Sequence, residues 1–358
     1  MRTGSVTLPE AMASDLLSQV RAQEAALRTI DYALESGRVH HAYLFVGPDG
    51  VGKELTAFGL AQALVCERRG ADAGPGLFGP AEKAPVRACG TCSACTRAVP
   101  RQDTGLTLHP DVVVLERGLY SPQQLGSRTG ETQNISINQV RTLVLARSAF
   151  PPHEGRAKVF IIRRAEELHQ SASNALLKTL EEPGAKTHFI LLTSQPEALL
   201  PTILSRTQRV RFAPLPDDVV ADLLVARGVE ATRAKHVARI AGGSVEIGEL
   251  LADPDESEVR EQFVESAFAA MSSATVEQVL TLAENAKKDK DKDRLASNIA
   301  ALASELASRA GEAARADKPE AEALAIRGRF ALTALEHLAA NGAPQLVIEA
   351  MLMRMRAV

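Results

Sequence analysis

Tryptophan is absent from the 358-residue sequence, and all aromatic residues together make up only 4% of it. An apolar run near the 18 residues of a membrane-spanning helix is also missing. Met1 to Glu10 is polar and contains a proline, unlike a signal peptide. We therefore expect a cytoplasmic protein. Hydrophobic residues make up 45% of the sequence, which is rich in alanine and leucine, and this favours a largely helical chain of two or three domains.

No charge of one sign dominates the chain. The 41 lysines and arginines are balanced by 44 aspartates and glutamates, which leaves a net charge of −3. This balance excludes binding of DNA through a global basic field, because such a field needs a clear excess of positive charge. Any contact with nucleic acid would have to be local or shared with partners.

Cysteine is scarce, but three of the four cysteines lie at successive spacings of two intervening residues. Cys89, Cys92 and Cys95 form this polar, glycine-containing cluster, and Cys66 lies upstream. In the cytosol such a set is more typical of metal ligands than of disulfides. The four thiolates predict a structural, tetrahedral Zn²⁺ site with no open position for catalysis. The alternative is four unrelated thiols, but buried cysteines rarely cluster in this way. We interpret His109, beside a proline, as a turn or capping residue.

A phosphate-binding loop is predicted near the amino-terminal end. The apolar residues Tyr43 to Val46 form a short buried strand, and the spacing Gly-x-x-x-x-Gly-Lys follows, ending at Lys53 before a helix. Glycines that let backbone N–H groups approach an anion are Gly47, Gly50 and Gly52. The next residue of such a loop is a Ser or Thr that holds Mg²⁺, but here it is Glu54. The ordinary alternative is a strand-to-helix turn that binds no phosphate.

A second departure from nucleotide chemistry follows the strand predicted from Lys158 to Ile162. A P-loop ATPase needs an aspartate there to hold Mg²⁺ and a glutamate to activate water. This chain has Arg163 and Arg164 instead, and a guanidinium can neither ligate a cation nor accept a proton. A later strand ends at Thr193 and Ser194, where a polar side chain would sense a γ-phosphate.

The strands alternate with helical segments, which predicts a parallel sheet covered on both faces. Helical apolar spacing is found at residues 14–38, 54–65, 135–150 and 165–182. We place this α/β domain at residues 1–213, with the cysteine insertion at 66–95. Residues 214–254 predict a small three-helix lid, and residues 255–358 predict long amphipathic helices. The charge run from Lys287 to Arg294 alternates in sign and predicts a solvated segment.

Together these segments resemble the AAA+ clamp-loader family of bacterial DNA polymerase III. The resemblance is carried by the strand and P-loop, the four cysteines, the segment from Asn174 to Pro183, and Leu204-Ser205-Arg206-Thr207. It covers residues 14–255 well and the rest only through helical character. It implies an α/β AAA+ P-loop domain with a four-cysteine zinc module, a helical lid, and an all-α collar domain that holds a pentamer together.

Departures from the family pattern select a member that does not hydrolyse nucleotide. In the family's motor subunits, gamma and tau, the P-loop lysine is followed by Thr or Ser, the strand by Asp-Glu, and the lid contains Gly-Ser-x-Arg. At these positions the chain has Glu54, the pair Arg163 and Arg164, and Glu246. We therefore expect no Mg²⁺ site and no intrinsic ATPase activity, and nucleotide binding is doubtful.

By the same resemblance Arg206, preceded by Ser205, is an arginine finger that projects into the ATP site of a neighbouring motor subunit. Such a guanidinium stabilises charge on the transferring phosphoryl oxygens and accelerates the reaction by about 10³- to 10⁵-fold in other systems. The alternative is a helix-terminal arginine paired with a local carboxylate. The implied partners are the delta and gamma/tau subunits, and the implied substrates of the assembly are the sliding clamp and primed DNA.

A working P-loop brings its Ser or Thr and the aspartate of the later strand to one Mg²⁺. The residues at these positions here should therefore lie close together. We expect Glu54 to pair with Arg163 or Arg164 and to fill the vacated metal position with a charge-assisted contact. The alternative is that both arginines point to solvent.

Two other functions are compatible with these motifs. The chain could be an active gamma/tau-like ATPase with an unorthodox site, which hydrolysis dependent on Lys53 would indicate. It could also be a zinc-dependent nucleic-acid-binding module. Against that, the clustered cysteines have no aromatic neighbour and only Arg87 and Arg97 as basic ones.

Overall fold

The computed structural model describes residues 14–69, 87–101, 103–121, 123–125, 134–154, 156–288, 292–339 and 342–358. The predictions for Met1 to Glu10, and for part of the charge run from Lys287 to Arg294, lie outside the described residues. The chain divides into two compact units, Met1–Val219 and Val220–Val358.

One parallel sheet organises the first unit, as the alternation of strands and helices predicts. Its five strands are β1 (Ala42–Val46), β2 (Val112–Leu115), β3 (Lys158–Ile162), β4 (Thr187–Thr193) and β5 (Gln208–Arg211). Every neighbouring pair is parallel, and the order across the sheet is β2-β3-β4-β1-β5. The first strand therefore lies between β4 and β5.

Helices cover both faces of this sheet, which confirms the predicted arrangement. The helices of the first unit begin with α1 (Glu24–Glu35), α2 (Lys53–Val65), α3 (Ser93–Arg97), α4 (Ile137–Gln139), α5 (Ala146–Ser148), α6 (Gln170–Glu181) and α7 (Pro201–Leu204). A π-helical turn, Val140–Leu145, joins α4 to α5. On one face Leu44, Phe160 and Leu191 share a core with Leu176 of α6. Against the other face packs α2, which is buried along almost its whole length because few of its residues are polar.

The strand order brings the predicted nucleotide-facing segments to one edge of the sheet. The carboxyl ends of β3, β4 and β1 lie side by side there, because the three strands are parallel neighbours. Arg163 follows β3, Ser194 follows β4, and the P-loop follows β1. Ligand sites of open α/β sheets form at this edge.

The helix predicted over residues 14–38 is broken in the structure. A 3-10 turn, Leu16–Gln19, comes first, and α1 begins only at Glu24. Between them the amide of Gln23 exchanges hydrogen bonds with the backbone of Ala213, at 2.7 Å to its carbonyl oxygen and 3.1 Å from its N–H. A contact with a distant segment thus replaces the continuous helix.

The helix predicted over residues 165–182 is likewise divided. A 3-10 turn, Ala165–Glu167, is separated from α6 by Leu168 and His169. The Nδ1 atom of His169 accepts a hydrogen bond from the backbone N–H of Ser171 at 3.2 Å. His169 therefore caps a new helix, and apolar periodicity cannot reveal such a cap.

The second unit is helical, as predicted. Its helices are α8 (Asp217–Ala226), which begins at the end of the first unit, α9 (Ala231–Ile240), α10 (Val245–Ala252), α11 (Pro254–Ser272), α12 (Glu277–Lys288), α13 (Lys292–Arg315), α14 (Glu320–Ala339) and α15 (Pro344–Arg356). A core made mainly of alanine, leucine and methionine side chains packs the five helices α11 through α15 together. The predicted collar (residues 255–358) and all of the predicted lid (214–254) except residues 214–219 lie in this unit. No helix that the structure describes is long and apolar enough to span a membrane.

Candidate functional site

The glycines of the P-loop take conformations that other residues rarely adopt. Gly50 and Gly52 have φ angles of +72° and +99°, in the left-handed region. Gly47 has no room for a side chain, since a Cβ atom there would lie 2.5 Å from the carbonyl oxygen of Phe212. The sequence pattern thus forms a tight strand-to-helix loop, and α2 begins directly after Gly52.

Lys53 is turned into the loop that it terminates. Its ammonium group donates to the carbonyl oxygens of Gly47 and Pro48, the latter at 2.6 Å, and to Oδ1 of Asp49 at 3.0 Å. Its side chain is only 7% exposed. The positive charge that faces phosphate in a working P-loop is therefore neutralised and hydrogen-bonded by the loop itself.

Arg163 lies beside the start of α2 and joins two carboxylates. Its guanidinium forms an ion pair with Glu54 and a second one with Glu116, at 2.8 Å between Nη1 and Oε2. The side chain is 11% exposed, and its charged group lies 5.5 Å from the ring centroid of Phe58. The predicted pairing of Glu54 is confirmed.

Arg164 points away from this network. It follows Arg163 with a left-handed backbone, its side chain is 44% exposed, and its Nη1 atom lies 3.8 Å from a carboxylate oxygen of Glu167. The alternative in which both arginines point to solvent is wrong, since only Arg164 extends outward.

The pKa values of Glu54 and Arg163 are both shifted at this position. Burial raises the pKa of Glu54, Arg163 lowers it and Glu116 raises it, and the net shift is upward. Burial alone would lower the pKa of Arg163, but Glu54 and Glu116 outweigh it, so that pKa is raised. Arg163 is therefore a permanent cation between two carboxylates. A divalent metal ion here would have to compete with the guanidinium of Arg163 for the two carboxylates.

The predicted sensor residues have local partners in the structure. Thr193 is buried, and its hydroxyl accepts a hydrogen bond from the backbone N–H of Gln195 at 3.0 Å. The hydroxyl of Ser194 donates to Glu166 at 3.3 Å. Both lie at the same edge as the P-loop, one strand away. Glu246 is in the first turn of α10, in the second unit.

The four cysteines converge, as the spacing predicts. The sulfur atoms of Cys66, Cys89, Cys92 and Cys95 all lie within 4.8 Å of one another, and none is in a disulfide. Backbone N–H groups of Cys89 and Cys92 donate to sulfur atoms of the cluster at 3.4 Å. A hydrogen bond from Cys95 is the largest influence that lowers the pKa of Cys66, to about 4.

Close packing fixes the cysteine cluster against neighbouring segments of the first unit. Gly90, with a φ of +72°, lies so near Ser14 that a Cβ atom would be 2.4 Å from its carbonyl carbon. At the far side of α3, Arg97 binds both carboxylate oxygens of Glu154, at 2.6 and 2.8 Å. The Nδ1 atom of His109 accepts from the backbone N–H of Asp111 at 3.1 Å, which confirms that this histidine is a cap.

Arg206 lies at the amino-terminal ends of the strands, opposite the carboxyl ends where the P-loop lies. It precedes the amino end of β5, and it lines an open groove of about 650 Å³ together with His40 and His41, which precede β1. Its guanidinium bonds to the carbonyl oxygen of Thr202 at 3.0 Å and forms an ion pair with Glu181. The predicted alternative of a local carboxylate partner is therefore observed in the single chain.

Sequence reasoning missed three acidic partners: Asp49 on Lys53, Glu116 on Arg163, and Glu181 on Arg206. Glu116 directly follows β2, the neighbour of β3, so knowledge of the strand order would have placed it beside Arg163. Glu181 lies 25 residues before Arg206, and no sequence pattern links the two.

The fold and the carboxyl edge of its sheet define a P-loop α/β protein whose metal-facing positions are filled by an ion-pair network. Residues 22–216, more than half of the chain, match the family described as DNA polymerase III, delta subunit. The chain belongs to this clamp-loader family.

Curated relatives carry the names of two clamp-loader subunits. DNA polymerase III subunit delta' of Bacillus subtilis is 29% identical over 242 residues, or 68% of this chain and 63% of the relative. Subunit gamma/tau of Mycobacterium tuberculosis is 33% identical over 233 residues, or 63% of this chain and 35% of the relative. The matches thus span less than two thirds of either relative.

Among solved structures, the chain is similar to a DNA polymerase III gamma subunit-related protein from Thermotoga maritima. The TM-score is 0.44 at 16% identity, and the match covers 92% of this chain and 98% of that one.

Proposed function

We propose that the chain is a delta-prime subunit of the bacterial DNA polymerase III clamp loader, a scaffold that does not hydrolyse ATP. The observation that carries the proposal is the guanidinium of Arg163 between Glu54 and Glu116. In a P-loop ATPase the corresponding residues hold Mg²⁺, which bridges the β- and γ-phosphates. A buried cation with two carboxylate partners leaves no ligands for that ion.

The second part of the proposal is that Arg206 completes the ATP site of a neighbouring subunit. Arg206 and the chain's own P-loop lie at opposite ends of short parallel strands. A five-residue strand is about 17 Å long, so Arg206 does not reach the P-loop of its own chain. Its side chain is 33% exposed and lines an open groove. A phosphate that it contacts would belong to another molecule.

The third part is a structural zinc ion held by Cys66, Cys89, Cys92 and Cys95. With Zn–S bonds of about 2.3 Å, the sulfur atoms of a tetrahedral site lie about 3.8 Å apart. The 3.9 Å between the sulfur atoms of Cys89 and Cys95 fits that value. Four thiolates leave no open position, so the ion would stabilise the segments that carry the cysteines.

The partners in this proposal are the delta and gamma/tau subunits, in a cytoplasmic pentamer that places the sliding clamp on primed DNA. The second unit would supply the collar, since it carries amphipathic helices. Delta-prime is a name carried by one of the relatives. Its extension to this chain rests on the lost metal site and on the retained Ser205-Arg206 pair.

Two measurements test the proposal. The purified chain should not hydrolyse ATP in the presence of Mg²⁺ above the level of a Lys53→Ala variant. A loader reconstituted with Arg206→Ala should lose most of its ATPase activity, by about 10³-fold at the site that Arg206 serves, while the variant alone keeps the unfolding curve of the wild-type chain. Turnover by the single chain that depends on Lys53 would instead indicate a gamma/tau-like ATPase.

A further inference from the structure

The ion pair between Arg206 and Glu181 joins two segments that the chain keeps apart in sequence. Glu181 is the last residue of α6, and Arg206 follows α7. Nη2 of the arginine contacts Oε1 of the glutamate, while Nη1 bonds to the carbonyl oxygen of Thr202 and to the hydroxyl of Ser205 at 3.2 Å. The side chain therefore lies along its own subunit.

This position leaves the guanidinium incompletely satisfied. Its Nε atom is buried and has no hydrogen-bond partner. An unpaired buried donor is costly, so movement of the side chain toward an outside acceptor relieves an unfavourable state. Glu181 is the only full negative charge among its bonded partners in the part of the chain that the structure describes. The ion pair with Glu181 is thus the main interaction that is lost when the Arg206 side chain moves outward.

We propose that Glu181 is a positioning residue that holds Arg206 on the surface of the free subunit and competes with the phosphate of a neighbouring ATP site for its guanidinium. The inference rests on the proposed role of Arg206 in trans. A γ-phosphate carries more charge than a carboxylate and binds a guanidinium in the same forked geometry. The arginine therefore exchanges one anion for the other when a nucleotide-bound neighbour docks.

Exposure makes this exchange possible at moderate cost. The side chains of Arg206 and Glu181 are 33% and 48% exposed, so water screens their attraction. A pair of this kind holds the side chain without locking it. Leu180 and Thr207 complete the groove beside the pair, which leaves the guanidinium open to an approaching surface.

The first experiment tests whether the ion pair with Glu181 restrains Arg206 in the free chain. Phenylglyoxal modifies accessible guanidinium groups, and mass spectrometry follows its addition to Arg206. We expect Glu181→Gln, which keeps the size of the side chain and removes its charge, to speed the modification by about two- to fivefold. Glu182→Gln is the matched control. Glu182 is the adjacent exposed carboxylate, and its side chain has no bonded partner among the described residues. Equal rates in all three proteins would overturn the inference.

The second experiment measures the competition in the reconstituted loader. We expect Glu181→Gln to raise kcat/KM for ATP by about two- to fivefold, because the free state then no longer includes the ion pair. Glu181→Asp should restore part of the wild-type behaviour, and Glu182→Gln should change nothing. A kcat/KM at or below that of the wild type would contradict the inference. Arg206→Ala in the same assay tests the finger itself, so its lack of effect would reject the proposed function instead.

Discussion

At the scale of single residues, the chain has Glu54 in place of a metal-binding hydroxyl and Arg163 in place of a metal-binding carboxylate, and Glu116 pairs with the same guanidinium. A cation still lies between oxygen atoms, but it is now the guanidinium of Arg163 between Glu54 and Glu116. A metal ion can leave the site, but a covalently attached guanidinium cannot. In the proposed function, the site is held together by an internal cation and has no exchangeable one.

The first prediction concerns Arg163→Ala. The change leaves two carboxylates without the cation between them, and we expect the free energy of unfolding to fall by about 2 to 4 kcal/mol. Urea unfolding followed by circular dichroism measures the loss. Arg164→Ala is the control, since its side chain is 44% exposed against 11% for Arg163, and it should cost less than about 1 kcal/mol. Similar losses for both variants would show that the ion pairs contribute little.

The second prediction concerns the pH dependence of that loss. The pKa of Glu54 is raised in the folded chain above its ordinary value of 4.5, and loss of Arg163 removes an opposing influence, so the pKa rises further. A group with a raised folded-state pKa favours folding while protonated, and this contribution is lost as pH rises through the folded-state pKa. The deficit of Arg163→Ala should therefore be smaller at pH 5 than at pH 8. A deficit that is equal at both pH values would assign the loss to packing on Phe58.

The pairing of Glu54 was predictable because P-loop geometry places the residue after the lysine beside the end of the strand that carries the aspartate. The choice of Arg163 over Arg164 was not predictable, since it depends on the left-handed backbone at Arg164. Glu116 and Glu181 were missed for a related reason. Their partners are 47 and 25 residues away in sequence, and only the folded chain brings them together.

At the scale of elements, sequence spacing predicted the strands and most helices but not where two helices break. Apolar periodicity records which residues face a core, and it continues through both breaks. The breaks themselves come from hydrogen bonds. Gln23 binds the backbone of Ala213, a residue 190 positions away, and His169 caps α6 from within the predicted helix. Neither contact leaves a periodic signal.

The third prediction concerns the cysteine cluster. We expect the purified chain to contain about one zinc ion, measured by plasma mass spectrometry, and Cys92→Ser to remove it. Loss of the ion should lower the melting temperature, since binding energy at a structural site contributes to folding. Thr96→Ala, an exposed neighbour in α3, should change neither quantity. Full zinc content in the Cys92→Ser variant would place the ion elsewhere.

At the scale of the whole molecule, the carboxyl and amino ends of the strands have different roles in the proposed function. One end has an internally neutralised P-loop, and the other presents Arg206 in an open groove. The division of the second unit into a lid and a collar stays a prediction, because helices from both parts pack within that one unit.

The fourth prediction concerns Lys53→Ala in the assembled loader. In a working ATPase this change removes phosphate binding, but here all bonds of the ammonium group to described residues are to its own loop. We expect the ATPase activity of the assembly to stay within about twofold of wild type, and the stability of the isolated chain to fall by about 1 to 3 kcal/mol as the loop acceptors lose their donor. Lys178→Ala, on the exposed side of α6, serves as the control for stability. Loss of assembled activity in a fully folded Lys53→Ala variant would refute this interpretation of the P-loop.

The hydrogen bonds of Lys53 to its own loop bear on how the protein responds to the nucleotide content of the cell. Motor proteins change shape as the ratio of ATP to ADP changes in the cell, but in the proposed function this loop supplies its own counter-charges and does not respond to that ratio. We expect this subunit to present one invariant docking surface in starved and in growing cells. It would serve as the fixed reference against which its nucleotide-responsive neighbours move.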